Sequence, residues 1–221
     1  MNFCFQQIPA FSTTEESMQY PCPERADLDE IRALNSAFLD VCARSSLPDG
    51  VAARIASLTL AQRELLSDAP FLLFSLQEDQ ASLWDRLFAA EPDFFDEPTP
   101  AEWVPITTAA IAFLWHLAKR APHDARLFAA LSPALSRRLA EHPLISVTHR
   151  ALGLGISPRP RFTEQPELWS LLFDACSAPD SARMTAGQMI AMQRLLLKSS
   201  ELEADLLAAR RIEPVSRTLA E

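Results

Sequence analysis

Residues 54–71 read RIASLTLAQRELLSDAPF, and residues 127–144 read LFAALSPALSRRLAEHPL. The two stretches align without a gap at an offset of 73 residues. In each, a hydroxyl residue (Thr59 or Ser132) precedes a Leu/Ala-rich run that stops at a proline. A hydroxyl side chain caps the first turn of a helix, and the residue before a proline disfavours the helical conformation. We therefore predict one short capped helix in each stretch, so that the same local design is used twice.

The similarity between the two halves extends to both sides of these stretches. The sequence FLDVCAR at 38–44 matches FLWHLAK at 113–119, and LWDRLF at 83–88 matches LWSLLF at 168–173. The repeated order is a long apolar helix, a short helix, a capped helix and a Leu-Trp helix, which indicates an internal duplication. The alternative is chance similarity between Leu/Ala-rich helices.

Helical periodicity dominates the rest of the chain, and no convincing pair of alternating strands is present. The predicted fold class is all-α, with two similar helical repeats packed together plus a long C-terminal helix. The predicted segments are an irregular N-terminal lead (1–26), helical repeat 1 (27–91), a Pro-rich connector (92–105), helical repeat 2 (106–177) with an insertion (145–163), and the long C-terminal helix (185–212).

Several local expectations follow from the same patterns. Asp27 and Thr185, like Thr59, are predicted N-caps because a Glu or Gln follows each three residues later. Residues 71–76 are predicted to form either a buried strand or the start of a helix. Residues 144–162 are predicted to be irregular, and a helix is expected over about 79–91.

Composition excludes several classes of protein. Of the 221 residues, 48% are hydrophobic and 22% charged, which is typical of a folded globular chain. No run of about 18 uncharged apolar residues is present, so a polytopic membrane protein is excluded. The N-terminal residues lack the features of a secretory signal, and the four cysteines form no C-x-x-C pair. These observations predict a cytoplasmic location with reduced cysteines.

No motif for catalysis, a metal or a cofactor is present. His116 and His123 are seven residues apart, as are His142 and His149, but a proline between the members of each pair interrupts the helix that would align them. The acidic residues fit solvated helix faces better than acid–base catalysis. We therefore predict a protein that is not an enzyme, with no catalytic residue, no cofactor and no metal ligand.

Charge is unevenly distributed along the chain. Residues 1–100 contain six arginines, no lysine and 17 acidic residues, whereas residues 101–221 contain 14 basic and 12 acidic residues. Within 131–162 there are five arginines and a single acidic residue, and arginine recognises carboxylates and phosphates in a bidentate manner. The predicted partner-binding residues are Arg137, Arg138, Arg150, Arg159 and Arg161. The alternative is ordinary surface scatter.

The net charge of −9 favours a protein partner over nucleic acid, so that any contact with nucleic acid is expected to be indirect. The long C-terminal helix has two interpretations. It covers the core of both repeats, or it forms an intermolecular coiled-coil seam, since its apolar residues follow a 3–4 spacing.

Residues 34–76 resemble the FlhD family, the D subunit of the bacterial flagellar transcriptional master regulator. The resemblance lies in Leu34-Asn35, in Phe38-Leu39, in ASLTLAQ at 56–62 and in FLLF at 71–74. It implies an all-α transcriptional co-regulator that acts with a partner subunit. Because that family is dimeric, a duplicated chain would be a pseudo-dimer.

These observations together favour a non-enzymatic bacterial regulatory or adaptor protein that acts by protein–protein contact, including a role in transcription control. The alternative is an accessory or chaperone-like adaptor of a secretion system, and an unrecognised enzyme is a third class.

Overall fold

The computed structural model describes residues 24–44, 50–89, 98–177 and 184–197. Within these ranges the chain is mostly helical, which confirms the all-α prediction. The elements are α1 (Arg25–Arg44), α2 (Gly50–Ser57), α3 (Leu60–Ser67), β1 (Phe74–Ser75), α4 (Ala81–Leu87), α5 (Val104–Arg120), α6 (Pro122–Ala129), α7 (Pro133–Glu141), α8 (Leu144–Gly153), β2 (Arg159–Pro160), α9 (Pro166–Ser177) and a helix at 184–197, here α10.

The two long helices, α1 and α5, pack against each other at the centre of the molecule. The short helices α2 and α3 pack on α1, and α6, α7 and α8 pack on α5. Buried apolar side chains from all of these helices form one continuous cluster. Trp103 joins this cluster from the predicted connector, with its ring 6.0 Å from that of Phe38. None of the helices in the described ranges has the length and apolarity needed to cross a bilayer.

The predicted caps of the two matched short helices are present. The Thr59 hydroxyl accepts a hydrogen bond from the Gln62 backbone N–H at 3.3 Å, and Gln62 Oε1 accepts one from the Thr59 N–H at 2.9 Å. The Ser132 hydroxyl accepts a hydrogen bond from the Leu135 N–H at 3.2 Å. Both helices therefore begin where the sequence places them, because a cap depends only on residues within one turn.

Two other predicted caps are wrong. The helix α1 begins at Arg25, so Asp27 lies in its first turn, and its carboxylate accepts a hydrogen bond from Arg120. Thr185 also lies inside a helix, because residue 184 is already helical. The local pattern had assigned the Asp27 side chain to capping, but this side chain instead binds Arg120, which is 93 residues away in the sequence.

The buried segment 71–76 is not helical. Asn35, fully buried on α1, donates from Nδ2 to the Phe71 carbonyl at 2.9 Å and accepts at Oδ1 from the Leu73 N–H at 2.9 Å. Only Phe74 and Ser75 form a strand, β1, which pairs antiparallel with β2. This tertiary pairing satisfies backbone groups that a helix would otherwise satisfy internally.

The prediction that residues 144–162 are irregular is wrong for the first part of this stretch. Its first part forms α8, which begins after Pro143 and packs Val147 and Ala151 into the core. The helix predicted over 79–91 is shorter, because α4 ends at Leu87. Most of the N-terminal lead (1–23), part of the connector (92–97) and the end of the predicted C-terminal helix (198–212) lie outside the described residues.

Candidate protein-contact surfaces

Arg161 is a buried structural residue. Its side chain is 7% exposed, Nε donates to the Leu72 carbonyl at 2.9 Å, and Nη2 lies 3.3 Å from Glu78 Oε1. Its own carbonyl accepts a hydrogen bond from the Trp169 indole. Arg161 therefore joins β2 to the segment before β1 and to α9, and its guanidinium faces into the fold.

Arg150 and Arg138 also bind within the chain. Arg150 Nη1 donates to the carbonyls of Leu87 at 3.1 Å and Ala89 at 2.6 Å, where α4 ends. A guanidinium at this position satisfies carbonyl groups that the helix leaves unpaired. Arg138 forms an ion pair with Asp85 and lies over the Phe88 ring.

Arg137 and Arg159 are the two predicted partner-binding residues that are exposed. Arg137 lies on α7, and Arg159 lies on β2, where its backbone pairs with Ser75. The role of the five arginines in binding a partner stays a prediction. Arg137 and Arg159 are exposed, and the side chain of Arg138 is itself 40% exposed beside Asp85, so these three guanidinium groups are accessible to one.

A small cleft of about 100 Å³ lies beside the strand pair. The Arg161–Glu78 ion pair lies in its wall, and Leu195 of α10 borders it. Two of its lining residues, Ala130 and Phe162, have left-handed backbone conformations, with φ of 56° and 57°. Such backbone is costly for a residue with a side chain and is held by the surrounding packing. Glu78 and Arg161 both line the cleft and pair with each other. The positive charge of Arg161 is therefore already neutralised by a carboxylate of the same chain.

Two titratable side chains have shifted pKa values. Burial raises the pKa of the Asp124 carboxyl, and the nearby charge of Asp27 raises it further. Burial also raises the pKa of the Cys176 thiol to about 11, so this cysteine is a thiol rather than a nucleophilic thiolate at neutral pH. The described ranges contain no group of three or more His, Cys, Asp or Glu residues arranged to hold a metal ion.

The helix α10 is apolar on two sides. Ala191 and Leu195 are buried, whereas Met189, Ile190 and Leu197 are 60%, 42% and 55% exposed. Sequence reasoning missed the exposed side chains because it assigned the apolar residues of this helix to a single face. The signal was the adjacent pair Met189-Ile190, since neighbouring helical residues point about 100° apart and cannot both follow one narrow stripe.

The helix α10 is anchored on α9. A Cβ atom added at Gly187 would lie 3.5 Å from Leu171 Cγ, so the α10 backbone approaches α9 closely at this position. Leu171 is itself partly exposed beside this contact. Other exposed large apolar residues lie on α3 (Leu60 and Leu65) and at the start of α8 (Ile145).

Comparison with known proteins identifies no relative, because no protein-family model, curated protein or solved structure matches the chain.

Proposed function

We propose that this protein is a non-enzymatic bacterial cytoplasmic regulatory or adaptor protein, and that it binds another protein through the outward face of α10. The observation that carries the proposal is the exposure of Met189, Ile190 and Leu197 on a helix whose opposite side is already buried. A helix that is apolar on both sides is typical of a buried helix, and the part of the chain that the structure describes does not cover the outward side of α10.

The expected partner presents an apolar groove or an apolar helix face to α10. In such contacts, side chains at helical spacing insert into the facing surface, and burial of their apolar area supplies most of the binding free energy. Ile190 and Leu197 are seven residues apart, which is the spacing of two turns on one helix face. The acidic net charge favours a protein partner over nucleic acid here as well.

The two helical repeats belong to the same proposal. Each repeat has a long helix, a short helix and a helix capped by a hydroxyl side chain, in α1–α3 and again in α5–α7. Together with the resemblance of residues 34–76 to the FlhD family, this order supports a duplicated transcriptional co-regulator that works with a partner subunit.

Affinity purification of the tagged full-length protein from its native host tests the proposal. We compare the unaltered protein with the double variant Met189→Glu, Leu197→Glu, after circular dichroism shows equal helix content. The matched control is Leu60→Glu, which places the same charge on an exposed leucine of α3. A specific partner is expected with the unaltered protein and the control, and its recovery is expected to fall about tenfold or more with the double variant.

The identity of the partner then separates the regulatory proposal from its alternative. A DNA-binding subunit supports a role in transcription control, whereas a component of an export apparatus supports a secretion-system accessory. Equal recovery of the partner with the double variant would overturn the assignment of α10. Recovery of only a second copy of this chain would make α10 an oligomer interface and overturn the adaptor role.

A further inference from the structure

We infer that the chain is a helix-exchanged dimer fused into one polypeptide, in which each half gives its tryptophan-bearing helix to the other half. The first half comprises residues 24–89, and the second half comprises residues 98–177. The inference rests on the two repeats proposed above and adds a surface in each half that recognises the other. It does not depend on any external partner.

The C-terminal parts of the two halves follow one design at a constant offset of 85 residues. In the first half, the strand β1 is followed by Gln77 with φ of 60° and then by Trp84. In the second half, the strand β2 is followed by Phe162 with φ of 57° and then by Trp169.

The two tryptophans are also held in a similar manner, by the carbonyl of the left-handed residue in the first half and by that of the residue before it in the second half. The Trp84 indole donates to the Gln77 carbonyl at 3.0 Å, and the Trp169 indole donates to the Arg161 carbonyl. Each strand therefore leads into a left-handed turn whose carbonyl fixes the following tryptophan helix. This shared design makes α4 and α9 corresponding elements.

The helix α4 of the first half packs on the second half. The guanidinium of Arg138, on α7, lies 4.6 Å from the centre of the Phe88 ring and pairs with Asp85. Phe88 in turn packs against Trp84, with 6.0 Å between the ring centres. This cluster thus joins helices of different halves.

The helix α9 of the second half packs on the first half in a matching way. The guanidinium of Arg54, on α2, lies 4.6 Å from the centre of the Phe173 ring, and its Nη1 donates to Ser170 Oγ at 3.3 Å. Phe173 packs against Trp169, with 5.4 Å between the ring centres. The helix α3 also packs on α9, where Gln62 Nε2 donates to Ser177 Oγ at 3.3 Å.

The two arginines are not copies of one ancestral residue. At the offset of 73 that aligns the short helices, Leu127 corresponds to Arg54, and Leu65 corresponds to Arg138. Phe88 and Phe173, by contrast, correspond at the offset of 85, as do Asp85 and Ser170. Arg54 on α2 and Arg138 on α7 therefore come from different positions of the repeat, yet each contacts the corresponding phenylalanine after a tryptophan in the other half.

This arrangement is that of a dimer whose subunits exchange an identical element. The strands that precede the two exchanged helices form the antiparallel pair β1–β2. In this pair Phe74 lies opposite Pro160, and Ser75 lies opposite Arg159. Within the described residues, α9 packs on α3 of the first half, and α4 packs on α8 of the second half. The interaction surface of the first half is the part of α2 and α3 that binds α9. That of the second half is Arg138 on α7 together with the part of α8, including Arg150, that binds α4.

Cleavage of the full-length chain tests the inference. A specific protease site is introduced within residues 90–97, between the halves, and the cut protein is analysed by gel filtration and circular dichroism. If the site resists cleavage, the two pieces are co-expressed from separate genes. We expect the pieces to elute as one helical complex and to reassociate after they are unfolded and mixed.

Arginine substitutions in the cut protein test whether the contacts of the two tryptophan helices hold the pieces together. Arg54→Ala and Arg138→Ala are each expected to weaken reassociation about fivefold, because each removes a cation–π contact and a polar contact between the pieces. The control is Arg32→Ala, whose ion pair with Asp68 at 2.8 Å lies within the first half.

Elution of the pieces as separate species would overturn the inference. An equal effect of Arg32→Ala and of the two cross-half substitutions on reassociation would also overturn it. Both readouts are independent of the α10 face, so a failure here is distinct from a failure of the proposed adaptor function.

Discussion

At the scale of single residues, Asn35 is the side chain that holds the non-helical segment between α3 and β1. It donates to the Phe71 carbonyl and accepts from the Leu73 N–H, each at 2.9 Å, and it is fully buried. Asn35→Ala is expected to lower the free energy of unfolding by about 3 kcal/mol, because it leaves a buried donor and a buried acceptor unsatisfied.

Chemical denaturation measures this loss. The control is the neighbouring exposed residue, Ser36→Ala, which is expected to change the free energy of unfolding by less than about 0.5 kcal/mol. Similar values for the two variants would contradict the role given to Asn35.

Arg161 and Arg159 are two residues apart, but the first is buried and the second is exposed. Arg161→Ala is expected to cost about 3–5 kcal/mol of unfolding free energy, because it leaves the buried Glu78 carboxylate without its partner. Arg159→Ala, two residues away on an exposed side chain, is expected to cost less than about 0.5 kcal/mol.

Urea denaturation of the two single variants checks this contrast. A small loss for Arg161→Ala would mean that its buried contacts contribute little. A large loss for Arg159→Ala would mean that its guanidinium, too, has a structural role.

At the scale of elements, the start of α6 lies near the start of α1 and makes stability depend on pH. Burial raises the pKa of Asp124 above its ordinary value of 3.8, and the charges of Asp27 and Glu24 add to this, while His123 and Arg120 oppose it. In the pH range between the ordinary and the raised pKa, the folded state binds more protons than the unfolded state. The contribution of Asp124 to stability therefore falls as the pH rises through that range.

We expect Asp124→Asn to be more stable than the unaltered protein at pH 7, and this difference to shrink as the pH is lowered toward 4. Urea denaturation at a series of pH values checks both statements. Asp29→Asn, which removes a carboxylate at an exposed position of α1, is the matched control. A variant that loses stability at pH 7 would show that the carboxylate form of Asp124 is stabilising.

At the scale of the whole molecule, the single apolar cluster predicts one cooperative unfolding transition. Trp84 and Trp169 are both buried, and they lie in the same cluster although they belong to different halves. Trp84→Ala and Trp169→Ala are each expected to cost about 3–5 kcal/mol, as truncation of a large buried aromatic side chain does.

Each substitution is also expected to shift one and the same transition when unfolding is followed by fluorescence and by circular dichroism. Two separate transitions, each sensitive to only one of the tryptophans, would show that the halves unfold independently.

The sequence predicts most helices correctly, but it predicts few of their partners. The helix over 166–177 is predicted with the bounds that α9 has, since its apolar spacing is local. The sequence also predicted five arginines within 131–162 as one group of partner-binding residues. Arg138, Arg150 and Arg161 instead bind Asp85, the end of α4 and Glu78, at sequence separations of 53 to 83 residues.

By itself the sequence determined the all-α class, the caps at Thr59 and Ser132 and the order of the matched helices, because these depend on interactions within one or two helical turns. Only the tertiary structure decided that segment 71–76 is not helical, with a two-residue strand at Phe74–Ser75, and that Arg161 is buried. It also decided that α10 leaves an apolar face outward, and that α4 and α9 pack on opposite halves. Each of these features depends on groups far apart in sequence, and no local periodicity specifies which surfaces those groups will share.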